Sequence, residues 1–232
     1  MNAYPELPEL DYEHTQVPMA EVIAYLSLQP RAIEVKRAAY IMFRNESANG
    51  TRGINNNYAG IQADGARWPA KFDGCFTGTV TMPENGTGNI RIFLAFKDWR
   101  TSVDMLCDRV EARGLYIGGT THLVTHVAIA TEADLATAYL REWVHGSATY
   151  KPTTTELANY ESMYGQALAL FRNAASPVVA APKPVPVPAP AHIPPPPPPP
   201  HGGGSSADNS ADDLNADVLE GKPLPPATGE SA

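Results

Sequence analysis

Apolar residues recur at helical spacing up to Glu46, and the pattern changes character from Trp68 onward. After Pro18, Val22 and Leu26, with Tyr25 beside them, mark the inner side of a first helix, and Pro30 separates it from a second. In that second helix Val35, Ala39, Met42 and Glu46 share one face, while Lys36, Arg37 and Arg44 point elsewhere. An acid therefore ends an apolar stripe. Cys75 to Met82 and Ile90 to Phe96 are rich in Thr, Val, Ile and Phe, and Pro83-Glu84-Asn85-Gly86 between them carries an Asn-Gly turn signal, so a β-hairpin is expected. Helical spacing then returns. Thr101-Ser102-Val103-Asp104 resembles a capping box, with Trp99, Val103, Leu106 and Val110 inward up to Gly114. Thr131 to Asp134 opens a further helix with Leu135, Tyr139 and Trp143 on a face, and Thr153 to Glu156 opens the last, with Leu157, Tyr160, Tyr164, Leu168 and Phe171 at helical intervals. The expected class is α+β and mainly α, a helical domain with a small β-hairpin lobe.

Composition bounds the folded part. Of 23 prolines, 16 follow residue 175, where Phe, Trp and Tyr are absent, so that region lacks the apolar area needed to offset chain entropy. The expected organisation is an extended arm over 1–17, a folded domain over 18–175, a Pro/Gly-rich linker over 176–206 and a disordered acidic tail over 207–232. The net charge of −8 and the scattered Lys and Arg argue against nucleic acid as a partner. The first residues have neither a basic start nor an apolar run, so no secretory signal is expected, and no stretch has the length of a membrane span. Cys75 and Cys107 read as free thiols.

Chemistry concentrates after the second helix. Burial raises the pKa of a carboxyl group, as a general acid working near neutrality requires. On spacing alone, the favoured reading of Glu46 is a plainer one, a residue that caps the helix or pairs with Arg44 or Arg52. The loop that follows shifts the balance: Asn49-Gly50 and Gly53 break the helix, and Asn55, Asn56, Asn57 and Tyr58 bring amides, a phenol and an aromatic face beside Gly60 and Gln62, a suitable lining for a sugar. Trp68, in a loop next to Pro69, is a candidate subsite wall, while Trp99 and Trp143 read as core. His122 and His126 are four apart but have no third partner at metal spacing, so neither a metal nor another cofactor is expected. Asp64 and Asp73, with Glu84 at the hairpin tip, are the nearest candidates for the second carboxylate that glycosidases normally use.

The same residues carry a resemblance. Glu46-Ser47, a glycine-containing loop and then Asn57-Tyr58-Ala59-Gly60-Ile61-Gln62 are similar to the lysozyme-like peptidoglycan glycosidases: lytic transglycosylases on the Glu-Ser and Gly-hydrophobic-x-Gln elements, flagellar-type N-acetylglucosaminidases on the Asn-Asn-aromatic-x-Gly-Ile stretch. Phe93 to Tyr116 resembles the strand and helix block of the glucosaminidases, and the likeness covers about residues 31–170. It implies a lysozyme-like domain cleaving β-1,4 bonds of cell-wall glycan strands, with Glu46 as general acid/base and Asp64 or Asp73 as its partner in a hydrolase. Ser47, Asn57, Tyr58, Gln62 and Trp68 would then bind substrate. Hydrolysis is the favoured version, because the Asn56 to Ile61 stretch and the Phe93 to Tyr116 block look more like the glucosaminidases; a transglycosylase, the alternative, would need no second carboxylate. The implied setting is a bacteriophage lytic protein, in a virion or the host cytoplasm, acting at the cell wall with the tail bound to a virion protein. A non-catalytic virion or cell-wall-binding protein of the same shape is the alternative.

Overall fold

In a computed structural model, which describes residues 2–83 and 88–172, helices predominate over two small antiparallel sheets. The class is α+β. The Asn85-Gly86 turn, Glu84, the linker and the acidic tail lie outside the described residues.

The arm is extended and is also part of the core. Tyr4 is fully buried, Ala3 N–H donates to Ala63 O at 2.7 Å, and Leu10 N–H donates to Thr79 O at 2.8 Å while Thr79 N–H donates to Pro8 O at 2.9 Å. The crossing is possible because residue 78 is glycine: a Cβ there would stand 2.5 Å from Pro8 O. Further along, β1 (His14–Thr15) pairs antiparallel with β2 (Gly53–Ile54), so the arm also fastens the loop that follows Glu46.

Two helices precede that loop. α1 (Met19–Leu28) buries Val22 and Leu26. α2 (Ile33–Glu46) is buried over more than the expected stripe, since Ala38, Tyr40, Ile41 and Phe43 join Val35, Ala39 and Met42, and it packs against α1, α3 and α5. It is the central helix. The hairpin joins β3 (Phe76–Pro83) to β4 (Ile90–Phe96), with Phe76 opposite Phe96 and a register shift before Gly78.

α3 (Arg100–Arg113) starts before the expected capping box. Asp98 holds its first turn by accepting from Arg100 N–H at 2.8 Å, and no Thr101 cap forms. Gly114 ends it in the left-handed conformation, φ 63°, which a side chain would resist. α4 (Glu132–Tyr139) and α5 (Thr154–Leu170) both open on the capping boxes read from sequence, Thr131 with Asp134 and Thr153 with Glu156. Leu168, expected inward, is 44% exposed. α4 runs into a π-helical turn over Leu140–Val144, closed by His145 N–H donating to Leu140 O at 2.9 Å. Among the described residues no helix is long and apolar enough to cross a membrane.

Candidate active site

Glu46 closes α2 where the helix meets a groove, and only 6% of the residue is exposed. Tyr139 O–H donates to its Oε1 at 2.8 Å. Burial raises its pKa from the ordinary 4.5 to about 8, against the opposing hydrogen bonds of Tyr139 and the Trp143 indole, which favour the charged form. Neither arginine of the plainer reading pairs with it. Arg44 instead bonds to Asn49 and Gln166, and Arg52 lines the groove. Tyr139 is itself held in its phenol form by burial and by the carboxyl group, so it acts as a donor. The result is a largely protonated carboxylic acid at neutral pH beside open space.

That groove, about 380 Å³, runs between the arm and the loop after α2. Tyr12 and His14 come from the arm, Met82 from the hairpin, and Gly53, Asn57, Tyr58 and Gly60 from the loop. Tyr12 is 53% exposed and offers an aromatic face at the rim, and His14 lies with its Nε2 2.7 Å from Thr51 O. Among the described residues lining it, Glu46 is the sole carboxylate.

The other residues singled out from sequence have different placements. Ser47 is fully buried; its hydroxyl donates to Phe43 O and accepts from Gly50 N–H at 2.8 Å, so it tightens the turn and faces no groove. Asn57 does line the groove, but its side chain has no capacity left. Its Oδ1 accepts from Ala59 N–H at 3.3 Å and Ile61 N–H at 3.0 Å, while Nδ2 donates to Ile61 O at 2.8 Å and Leu94 O at 2.9 Å. Asn55 holds the arm through Asp11 O and Glu13 N–H, and Asn56 reaches Phe96 O at 3.2 Å. Tyr58 is 1% exposed with its ring stacked on Phe43 at 5.5 Å, so it supports the groove from beneath and offers no free face to a sugar.

Gln62 is buried outside the groove lining, and neither its Oε1 nor its Nε2 has a hydrogen-bond partner among the described residues. Trp68 donates its indole N–H to Gln62 O at 2.9 Å and lies under Arg109, away from the groove. Asp64 faces Arg91 at 3.5 Å, and Asp73, on the short 3-10 stretch Ala70–Cys75, lies 3.8 Å from Arg67. Neither aspartate joins Glu46 in the groove. No three His, Cys, Asp or Glu side chains gather to hold a metal ion among the described residues.

Tyr139 and Trp143 are the site residues that sequence reading placed in the core. Their spacing of four was visible and put both on one helical face; what it did not show is that this face meets the end of α2. Trp143 sits in the π-helical turn, a feature frequent at functional sites.

Comparison of the chain with family models, curated proteins and solved structures gives no match. The site must be read from its own geometry.

Proposed function

We propose that this protein cleaves β-1,4 bonds in the glycan strands of bacterial peptidoglycan, with Glu46 as general acid and then general base. The observation that carries the reading is Glu46 itself: a buried carboxyl group, with a pKa near 8 and a hydrogen bond from Tyr139, that borders a groove at the end of the central helix. Protonated at neutral pH, it can give its proton to the glycosidic oxygen as the C1–O bond breaks. The sequence order of acid-ended helix, polar loop and hairpin supports a lysozyme-like arrangement.

The groove's single described carboxylate favours one version of this chemistry. With Asp64 and Asp73 engaged elsewhere, the acceptor would be the substrate's own 6-hydroxyl, which attacks C1 and returns its proton to the Glu46 carboxylate. No water is consumed, and the product carries an anhydro end. Mass spectrometry of fragments released from purified peptidoglycan tests both levels. Anhydromuramyl ends are expected; reducing ends would restore hydrolysis, and no fragments at all would favour the non-catalytic, wall-binding alternative.

A further inference from the structure

The groove that holds Glu46 also holds a cation. Arg52 is exposed, and among the described residues it is the only Lys or Arg that lines this groove. Its backbone is pinned on both sides. Arg52 N–H donates to Ser47 O at 2.9 Å, across a turn in which Ala48, Asn49 and Gly50 all have positive φ, and the next residue, Gly53, pairs with Thr15 of the arm. The side chain therefore leaves from a fixed base at the edge of the groove.

Elsewhere on the fold Arg31, Arg37, Arg67 and Arg100 each meet a carboxylate. The Arg52 guanidinium has no hydrogen bond and no ion pair among the described residues. Nor does the acid in its own groove supply much charge, since Glu46 is largely protonated at neutral pH. In a chain of net charge −8, the groove thus presents a cation and almost no anion, a local reversal of sign that draws in a negatively charged ligand. Its volume of about 380 Å³ is in the range of small-ligand sites, and Tyr12 at the rim has a ring face for a sugar. The planar fork of a guanidinium suits a carboxylate.

We propose that Arg52 is a specificity-determining residue that receives, in the groove of Glu46, a carboxylate carried on the 3-O side arm of a muramyl sugar. The identity of the sugar rests on the function proposed above; the presence of an unpaired cation in the groove does not. That side arm bears a carboxylate in two forms: the lactyl acid itself, on strands stripped of peptide, and the carboxylates of the stem peptide, where the lactyl group is amidated. N-acetylglucosamine has neither, so Arg52 would favour muramyl-containing strands over a neutral polymer of it.

The test is a ligand-observed NMR titration of the full chain with two matched pairs, none of which has a glycosidic bond to cut: N-acetylmuramic acid against its lactyl methyl ester, and N-acetylmuramyl-L-alanyl-D-glutamate against its fully amidated form. In at least one pair the acid is expected to bind about fivefold more tightly than its neutral partner, the upper range for an exposed ion pair, and the advantage should shrink in about 1 M salt. A preference in the first pair assigns the lactyl acid, and a preference in the second alone assigns the peptide. Arg52→Gln should abolish the preference, and Arg52→Lys should retain part of it, because the charge remains without the fork. No preference in either pair, or one that survives Arg52→Gln, overturns the proposal. Comparing each acid with its neutral partner requires no variant to fold. It is also independent of turnover: a protein that cleaves glycan strands without preferring an acid keeps its proposed function and loses this inference, and the reverse result does the opposite.

Discussion

Two regions flank Glu46, and they treat their polar groups in opposite ways. The run Asn55 to Asn57 in the loop after α2 ties its amides back into the fold, as all three bond to backbone atoms of the arm, the hairpin or the loop. The face made by α3, α4 and the π turn looks like core in sequence, yet it delivers Tyr139 and Trp143 to the acid. An irregular loop, with Asn55 and Asn56 at positive φ, cannot satisfy its backbone internally and recruits side-chain amides to do so. A helical face gets its backbone bonds for free, which leaves its side chains available for chemistry.

The contrast is sharpest at Asn57. Removing four buried hydrogen bonds by Asn57→Ala should lower unfolding stability by about 3 kcal/mol or more, measured by urea titration. A loss under about 1 kcal/mol, with turnover nevertheless gone, would make Asn57 a substrate contact and break the contrast. Tyr139→Phe is next. It removes the hydroxyl that favours the charged form of Glu46, so turnover should fall about tenfold and the alkaline limb of the pH–rate profile should move upward from about 8. An unchanged limb would separate Tyr139 from the acid.

Stability should carry the same signature. The folded-state pKa of Glu46 is above its ordinary 4.5, so folding favours the protonated form: this contribution is complete below about 4.5, declines as pH rises toward 8 and is level beyond. The slope in that window is at most about 1.4 kcal/mol per pH unit, and Glu46→Gln should remove it from the pH dependence of Tm. The smallest effects belong to Asp64→Asn and Asp73→Asn, which should each stay within about threefold of the unaltered rate. A much larger loss in either would return that aspartate to the reaction.

Much of the fold was legible because its signals are local. The Thr131 and Thr153 capping boxes, the hairpin strands and the stripe ending in Glu46 are settled by neighbours in sequence. What escaped depends on distant chain. The arm's place in the core hangs on Tyr4 burial and the Pro8–Thr79 crossing, and the arm brings Tyr12 and His14 to the groove. For α3, Asp98 took the capping role expected of Thr101, a difference of three residues. At the site, Glu46 was legible from its stripe. Its partners were not, because Tyr139 is 93 residues away and an aromatic stripe reads the same whether it meets apolar side chains or a carboxyl group.

The central claim is that Glu46 moves the proton, and its most direct test is the rate at which the full chain and its Glu46→Gln variant release soluble fragments from purified peptidoglycan, with matched melting profiles confirming that both are folded. Release by the variant should fall at least about a hundredfold, the lower range of what general acid catalysis contributes. A folded Glu46→Gln protein that releases fragments at the unaltered rate would contradict the account.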